Sequence, residues 1–427
     1  MPSYSGVWNL VSVYQAVGQG NWPQTPATNW IAVVDSGSYE YGNGSAFDSS
    51  GNLYLVASGS ASYLIKITPE GFVTRKQVFN TGWIGGGSNT YDSTVKIDSS
   101  DNIYIAGTWD SSPKQMLLVK LDSSGNLVWQ NRVGSTSLNS ECCCLSLDAS
   151  GNPIVFGSQV ESGAGSYQFI LKETTAGAVS WGRKRGGTTA DYSYSGATDS
   201  SSNVYVGGRV ETGSAYASLM QYSSSGTLNW GVVSNGAFSI ITYGVAVSGS
   251  SIYAVQSTNN RTFLVKTNNS GTVQWQRELV PTTGTVVGHA VDVDSSGNIY
   301  VSGILNGSPN KAFVAKFNSS GTLLFFNTLG HATGAMYARA VSIKNSVMSI
   351  SGTVYLSSND GFVTYFPTDG TATGAYGGFT YASATATASA SALSISSSTY
   401  SPGSPETTLN ATTYTASNST VTVTRYS

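Results

Sequence analysis

Two histidines, a run of three cysteines and a recurring aspartate are the residues of this chain best suited to chemistry. His289 and His331 have the right side chain for proton transfer near neutral pH. No carboxylate or nucleophile stands in register with them, so an acid–base pair is not assembled by the sequence. Cys142, Cys143 and Cys144 are adjacent. Neighbouring strand residues point to opposite faces and pair poorly, and a metal site needs spaced ligands. The three therefore read as ordinary strand residues. Asp48, Asp98, Asp148, Asp199 and Asp294 offer the hard oxygen that calcium prefers, but Ser fills the places where a calcium loop carries further carboxylates. Turn formation accounts for them without a metal. The nucleophile-elbow, zincin and phosphate-loop patterns do not occur, and Gly85-Gly86-Gly87 lacks the lysine a phosphate loop needs. The expectation is a protein that is not an enzyme and holds no cofactor or metal.

The aspartates are more informative as spacers than as ligands. Each opens a phrase Asp-Ser-Ser-Gly-Asn or a close variant, followed by an apolar-aromatic strand and a Gly, with weaker copies at Ser248 and Lys344. The steps between these anchors are 50, 50, 51, 49, 46 and 50 residues. A second series, Gly71, Gly125, Gly177, Gly226, Gly271, Gly321 and Gly370, repeats with steps of 54, 52, 49, 45, 50 and 49. Between the two series runs an apolar strand ending in Lys66, Lys120, Lys172, Lys266 or Lys316. Trp129, Trp181, Trp230, Trp275 or Phe325 follows four residues after the second-series Gly. Each unit thus holds four short strands, and a small sheet of that size buries its faces only when copies close into a ring. The Lys is expected to lie along the blade and meet the turn Asp, and the repeated Tyr54, Tyr104, Tyr205, Tyr253 and Tyr300 to pack between blades.

These phrases resemble the seven-bladed β-propeller repeat family, whose units run D-x-x-G-N-x-Y-V-x-G, then apolar-Lys, then G-x-x-x-W. The resemblance covers residues 30–370 and implies an all-β propeller of four-stranded blades; it says little about activity. Trp30 precedes Asp48 by 18 residues, the spacing that separates Trp181 from Asp199. Trp30-Ile31-Ala32-Val33-Val34 therefore reads as a fourth strand without its first three. It is expected to complete the last blade beside Phe362-Val363-Thr364-Tyr365 and lock the ring. Residues 29–370 form the propeller in this reading, preceded by a docking peptide and linker (1–28) and followed by a β-rich extension (371–427).

In the first segment, Asn9 can cap a short helix over Leu10–Val17 that Gly18 ends. Trp8, Val11, Tyr14 and Val17 would form its stripe. Gly6-Val7-Trp8-Asn9-Leu10, Tyr14-Gln15-Ala16 and Asn21-Trp22-Pro23 are similar to the N-termini of bacteriophage tail and other virion proteins. That resemblance implies attachment to other virion proteins through Trp8, Val11, Tyr14, Val17 and Trp22. It also implies residence in the phage particle, assembled in the host cytoplasm. The alternative is a helix that plugs one mouth of the ring. In the last segment, Ala384–Ala392 and Val421–Thr424 alternate small apolar with small polar residues, the period of a strand with thin side chains. Such strands suit packing against copies of themselves in a homo-oligomer, or against the ring's flank; a disordered tail is the bland alternative.

Composition narrows the partners. The 427 residues carry a net charge of −2 and no basic stripe, which argues against nucleic acid. No run approaches twenty apolar residues, so membrane insertion is not expected, and the first residues lack the basic-then-apolar pattern of a secretory leader. On one face of the ring both turn types are short and uniform. On the other the connections vary and carry Trp83, Trp109, Tyr192, Tyr194, Tyr216 and Phe238. Variable loops on a rigid scaffold are where binding concentrates, and aromatic rings among Gly, Ser and Asn suit sugar faces or a protein epitope. The sequence thus points to a phage tail or fibre component that presents its variable face to a host-surface glycan or protein. A decoration or connector protein, or a bacterial surface or secreted propeller, stand as alternatives.

Overall fold

The computed structural model describes residues 12–17, 29–35, 39–59, 62–79, 83–84, 94–109, 112–133, 139–161, 165–186, 190–211, 215–235, 239–356, 358–391, 393–396, 407–408 and 423–426. Seven antiparallel four-stranded blades form a ring, and no helix occurs among these residues. Blades 1 to 6 each run outward in chain order. Their inner strands are Glu40–Phe47, Val95–Ile97, Asn139–Leu147, Tyr192–Thr198, Ile241–Ser248 and Thr285–Val293. Their fourth strands are Val73–Phe79, Leu127–Val133, Val179–Arg185, Leu228–Asn235, Val273–Pro281 and Leu323–His331. Blade 7 takes three strands from Ala335–Lys344, Val347–Tyr355 and Asn359–Pro367. Inner strands of consecutive blades lie side by side, and that of blade 7 lies against that of blade 1.

The N-terminal strand closes the ring as its spacing requires. Trp30–Asp35 pairs antiparallel with Asn359–Pro367, Trp30 opposite Tyr365 and Val34 opposite Gly361. The Trp30 and Tyr365 rings stack at 5.4 Å. Trp30 through Val34 are at most 3 % exposed. Full burial of such side chains is worth about 1.5–3 kcal/mol each, so this strand is among the strongest joints in the ring. Across the seam, Ser342 Oγ donates to the Ser45 carbonyl at 2.6 Å and Lys344 Nζ to the Asp48 carbonyl at 2.6 Å.

The helix expected over Leu10–Val17 is not formed. Ser12–Val17 is a strand, antiparallel to Trp30–Asp35, with Tyr14 opposite Val33 and Val17 opposite Trp30. Val and Tyr favour extended backbone, and an eight-residue helix lacks the length to persist without partners, whereas the closing strand offers an open edge. Trp8, Val11 and Trp22 lie outside the described residues.

The C-terminal extension lies on the ring's own flank. Phe379–Ala384 adds a fifth strand to blade 6, Ala386–Ala390 to blade 5, Ser394–Ser396 to blade 4, Thr407–Thr408 to blade 3 and Val423–Tyr426 to blade 1. The tail therefore runs backward around the circumference, always antiparallel to the outermost strand. Its thin side chains bury little, Ala386–Ala390 being half-buried to exposed. From Ala386 onward it supplies backbone hydrogen bonds to otherwise open sheet edges, while its first part also buries Tyr376, Phe379 and Tyr381, the last stacked on Phe366 at 4.5 Å.

Candidate functional site: the variable face and the channel mouth

One face is occupied by structure. Each Asp anchor accepts from its own turn: Asp48 Oδ1 from the Ser50 and Asn52 amides at 3.0 and 2.9 Å, and Oδ2 from Asn52 Nδ2 at 2.8 Å. Lys66 and Lys172 reach Asp48 and Asp148 at 2.9 and 2.6 Å. Burial pushes the Asp48 carboxyl up, but Asn52 and Lys66 outweigh it and hold it below its ordinary value. The oxygens a calcium ion would use are therefore already engaged by the turn and the lysine.

The tryptophans stitch blade to blade on this face. Trp129, Trp181, Trp230 and Trp275 Nε1 donate to the carbonyls of Thr175, Ser224, Asn269 and Ser319 in the next blade's turn at 2.8–3.2 Å. Lys66, Lys120, Lys266 and Lys316 lie over Tyr54, Tyr104, Tyr253 and Tyr300 at 5.0–5.4 Å. The repeat tyrosines and tryptophans thus pack as expected, whereas the expected Lys–Asp contact forms at Lys66 and Lys172, and Lys120, Lys266 and Lys316 donate instead to the Thr175, Ser319 and Thr368 carbonyls.

The other face differs from blade to blade. Every fully described inner strand carries a bulge five residues before its anchor, and the bulged residues are Asn43, Cys143, Tyr194, Tyr243, His289 and Arg339. A bulge re-aims the side chain it inserts. These side chains meet across blades: Tyr194 and Tyr243 at 5.6 Å, Tyr243 and His289 at 5.5 Å, and His289 Nδ1 against the Ala338 carbonyl at 2.9 Å. All but Tyr243 are at most 9 % exposed, so they fill the channel. Burial, helped by the Arg339 charge and opposed by the Ala338 carbonyl, pushes the His289 ring down to a pKa of about 4, so it is neutral at physiological pH. Burial and then Glu141 push the Cys143 thiol up to about 12, and the three cysteines are free. A thiol held protonated is a poor nucleophile. His331 is tied elsewhere, its Nδ1 accepting from the Gly334 amide at 3.0 Å with the ring against Phe379 at 5.1 Å. The two histidines do not form a pair.

Outward from the channel lies a rim of tyrosines. Tyr41, Tyr192 and Tyr337 each stand two residues before the bulge of blades 1, 4 and 7. Each hydroxyl accepts a hydrogen bond from the preceding blade: from Asn359 Nδ2, Ser166 Oγ and Asn310 Nδ2, all at 3.0 Å. Arg339 lies over the Tyr41 ring at 5.7 Å and Arg209 over the Tyr192 ring at 5.4 Å. Tyr355, at the end of a blade 7 strand, meets Tyr337 edge-on at 5.0 Å and is 38 % exposed.

The predicted binding residues fall into two pairs and two outliers. Trp83–Ile84 pairs with the second strand of blade 2, placing Trp83 directly opposite Trp109, whose ring faces Arg132 at 5.3 Å. Tyr192 and Tyr194 meet at 5.9 Å and lead through Tyr243 to His289. Tyr216 is opposite Val210 and packs on the blade 4 core, so it anchors its own strand. Phe238 lies outside the described residues. The sequence reading missed Tyr41, Tyr243, Tyr337, Tyr355 and Arg339. Tyr41, Tyr243, Tyr337 and Arg339 stand at fixed distances before their anchors, but the sequence does not mark those places as a bulge, and Tyr355 has no such register.

At the closing seam, Asp35, Glu40 and Asp360 bring carboxylate oxygens within 4.8 Å of one another. Burial and then Asp35, opposed by Ser358, raise the Asp360 pKa. The cluster by itself assigns no ion.

No protein-family profile and no curated protein matches the chain. Solved structures resemble it only distantly. The Dos1 propeller shares 11% identity at a TM-score of 0.43, over 77% of this chain and 95% of that one. A putative 6-phosphogluconolactonase from Bacteroides fragilis gives 11% and 0.43, over 76% and 95%. The tail fibre of Staphylococcus aureus phage P68 gives 9% and 0.29, over 73% and 77%. Likenesses this remote assign no activity, and the fold rests on this chain's own strand pairing.

Proposed function

We propose that the protein is a non-enzymatic virion component of a phage tail or fibre that presents its variable face to a glycan or protein on the host surface. The observation carrying this reading is the contrast between the two faces. On one, the same Asp, Lys, Trp and Gly recur and satisfy one another. On the other, the half-exposed positions two residues before each bulge hold Tyr41, Glu141, Tyr192, Ile241, Val287 and Tyr337. Packing alone has no need of such variety, whereas a binding surface does. The N-terminal phrases shared with virion proteins support placement in the phage particle. The fifth strands support a module that stands alone, since the covered edges are used within the chain.

The test is adhesion of purified protein to host cells and to its isolated surface polymers. Replacing Trp83 and Trp109 together by Ala should lower adhesion at least tenfold while the variant stays folded in a melting curve, with some stability lost because Trp109 also packs on the core between blades 1 and 2. Full adhesion by that variant would remove Trp83 and Trp109 from the binding surface, whereas no adhesion by the parent protein would refute the binding reading and leave a structural decoration or connector role. Release of soluble sugar from those polymers would refute the non-enzymatic reading.

A further inference from the structure

We infer that the seam of blades 6, 7 and 1 carries a subsite for an uncharged sugar, built from Tyr41, Tyr337 and Tyr355; this rests on the binding role proposed above and names its ligand. None of the three tyrosines was singled out by the sequence. A phenol oxygen carries one proton and two lone pairs, while an amide nitrogen only donates. Because Asn359 Nδ2 donates to the Tyr41 hydroxyl and Asn310 Nδ2 to the Tyr337 hydroxyl, both at 3.0 Å, neither bond uses the phenolic proton. Each amide fixes the oxygen and leaves the phenolic proton for another acceptor. Two pre-set donors thus flank one exposed ring, Tyr355, 38 % accessible beside Leu356 at 41 %. That is the pattern a pyranose needs: a flat apolar surface for its C–H face and donors for its hydroxyl and ring oxygens.

Charge selects the uncharged class. The Arg339 guanidinium is placed on the Tyr41 ring at 5.7 Å and is itself 9 % exposed. Elsewhere on this face Lys114 pairs with Glu141 at 2.9 Å, Arg261 with Glu278 at 2.7 Å, and Arg209 with Glu211. Lys311 is the exposed exception. An anionic polymer would find little to neutralise it here, and a neutral one loses nothing.

Native affinity gels containing dextran, a galactomannan or polygalacturonate, each run at low and high salt, provide the test. The expected result is retardation by a neutral polymer, insensitive to salt. It should weaken at least tenfold in Tyr355→Ala, which loses the stacking ring. It should weaken about five- to tenfold in the Tyr41→Phe/Tyr337→Phe double variant, which keeps the rings and loses two donors. Tyr39→Ala, on the same face and 64 % exposed, serves as the control that leaves retardation unchanged. If Tyr355→Ala misfolds, the double Phe variant decides alone. Retardation by polygalacturonate only, abolished by salt, overturns the uncharged class and keeps the glycan reading. Neutral retardation indifferent to all three tyrosines overturns the subsite. No retardation by any polymer, with adhesion to host cells intact, overturns the sugar ligand and leaves a protein receptor.

Discussion

The Trp30 indole nitrogen donates to the Pro69 carbonyl at 2.9 Å. It thereby does for blades 7 and 1 what Trp181 does for blades 3 and 4 through the Ser224 carbonyl at 2.9 Å. The joint from blade 7 to blade 1 is chemically the same as the joints inside the ring, although blade 7 itself draws its strands from opposite ends of the propeller sequence. Trp30→Ala removes the hydrogen bond, the stack on Tyr365 and a fully buried side chain. A loss of about 3–5 kcal/mol is expected. Trp181→Ala, at a half-buried site, should cost less. Thermal melts of the two variants check the order, and equal losses would mean the closing strand adds nothing special.

A chain ending at residue 370 loses every described tail strand and uncovers the outer edges of blades 1, 3, 4, 5 and 6. Open edges pair with other chains. Light scattering should show concentration-dependent association of the shortened chain and a uniform particle for the full one. A shortened chain that stays monomeric would show that the edges are protected by other means. An intact chain of defined higher mass would show that the extension also joins copies.

Gly271 and Gly249 separate two costs of adding a methyl group. Both are left-handed, with φ of 78° and 59°. A Cβ at Gly271 would lie 2.9 Å from the Trp230 ring, while at Gly249 it meets nothing within 4 Å. Gly249→Ala should cost about 1 kcal/mol from backbone strain. Gly271→Ala should cost clearly more, because the Trp230 joint must shift. Denaturant titration reads both, and equal costs would remove the steric part of the argument.

Glu173 and His289 set opposite limbs of the pH–stability curve. Burial pushes the Glu173 carboxyl up to about 7, against the Asn131 amide that donates to it at 2.8 Å. Its folded pKa is raised, so its stabilising contribution is complete below the unfolded value of 4.5 and is lost as pH rises toward 7. His289 is depressed to about 4, so its contribution is complete above 6.5 and is lost as pH falls toward 4. Glu173→Gln should flatten the upper limb and gain on the order of 2 kcal/mol over the parent at pH 8. His289→Gln should flatten the acid limb. Unchanged limbs in melts from pH 4 to pH 8 would show that water relieves these groups.

Repetition explains how much of this molecule the sequence discloses. Two interleaved series, the Asp anchors and the glycines before Trp129, Trp181, Trp230 and Trp275, fix seven units and their four strands. The orphan phrase Trp30–Val34 fixes the closure, because its distance from Asp48 is that of any fourth strand from the next anchor. These are local turn and packing demands, renewed in every blade, so they leave a periodic mark.

What the sequence did not settle is whatever depends on which edge is open and which side chains a bulge re-aims. Ser12–Val17 became a strand because the closing strand left an edge beside it. The tail became a girdle because the outer strands offered partners all round the ring. Tyr337 and Tyr355 meet on one hairpin of blade 7, but Tyr41 stands about three hundred residues away in sequence, and only closure of blade 7 against blade 1 brings it to them. Backbone pairing at an edge accepts almost any sequence, and a contact across the seam joins the far ends of the chain. Neither leaves a period to read, so the scaffold was legible in the residues and the make-up of the variable face was decided by the tertiary structure.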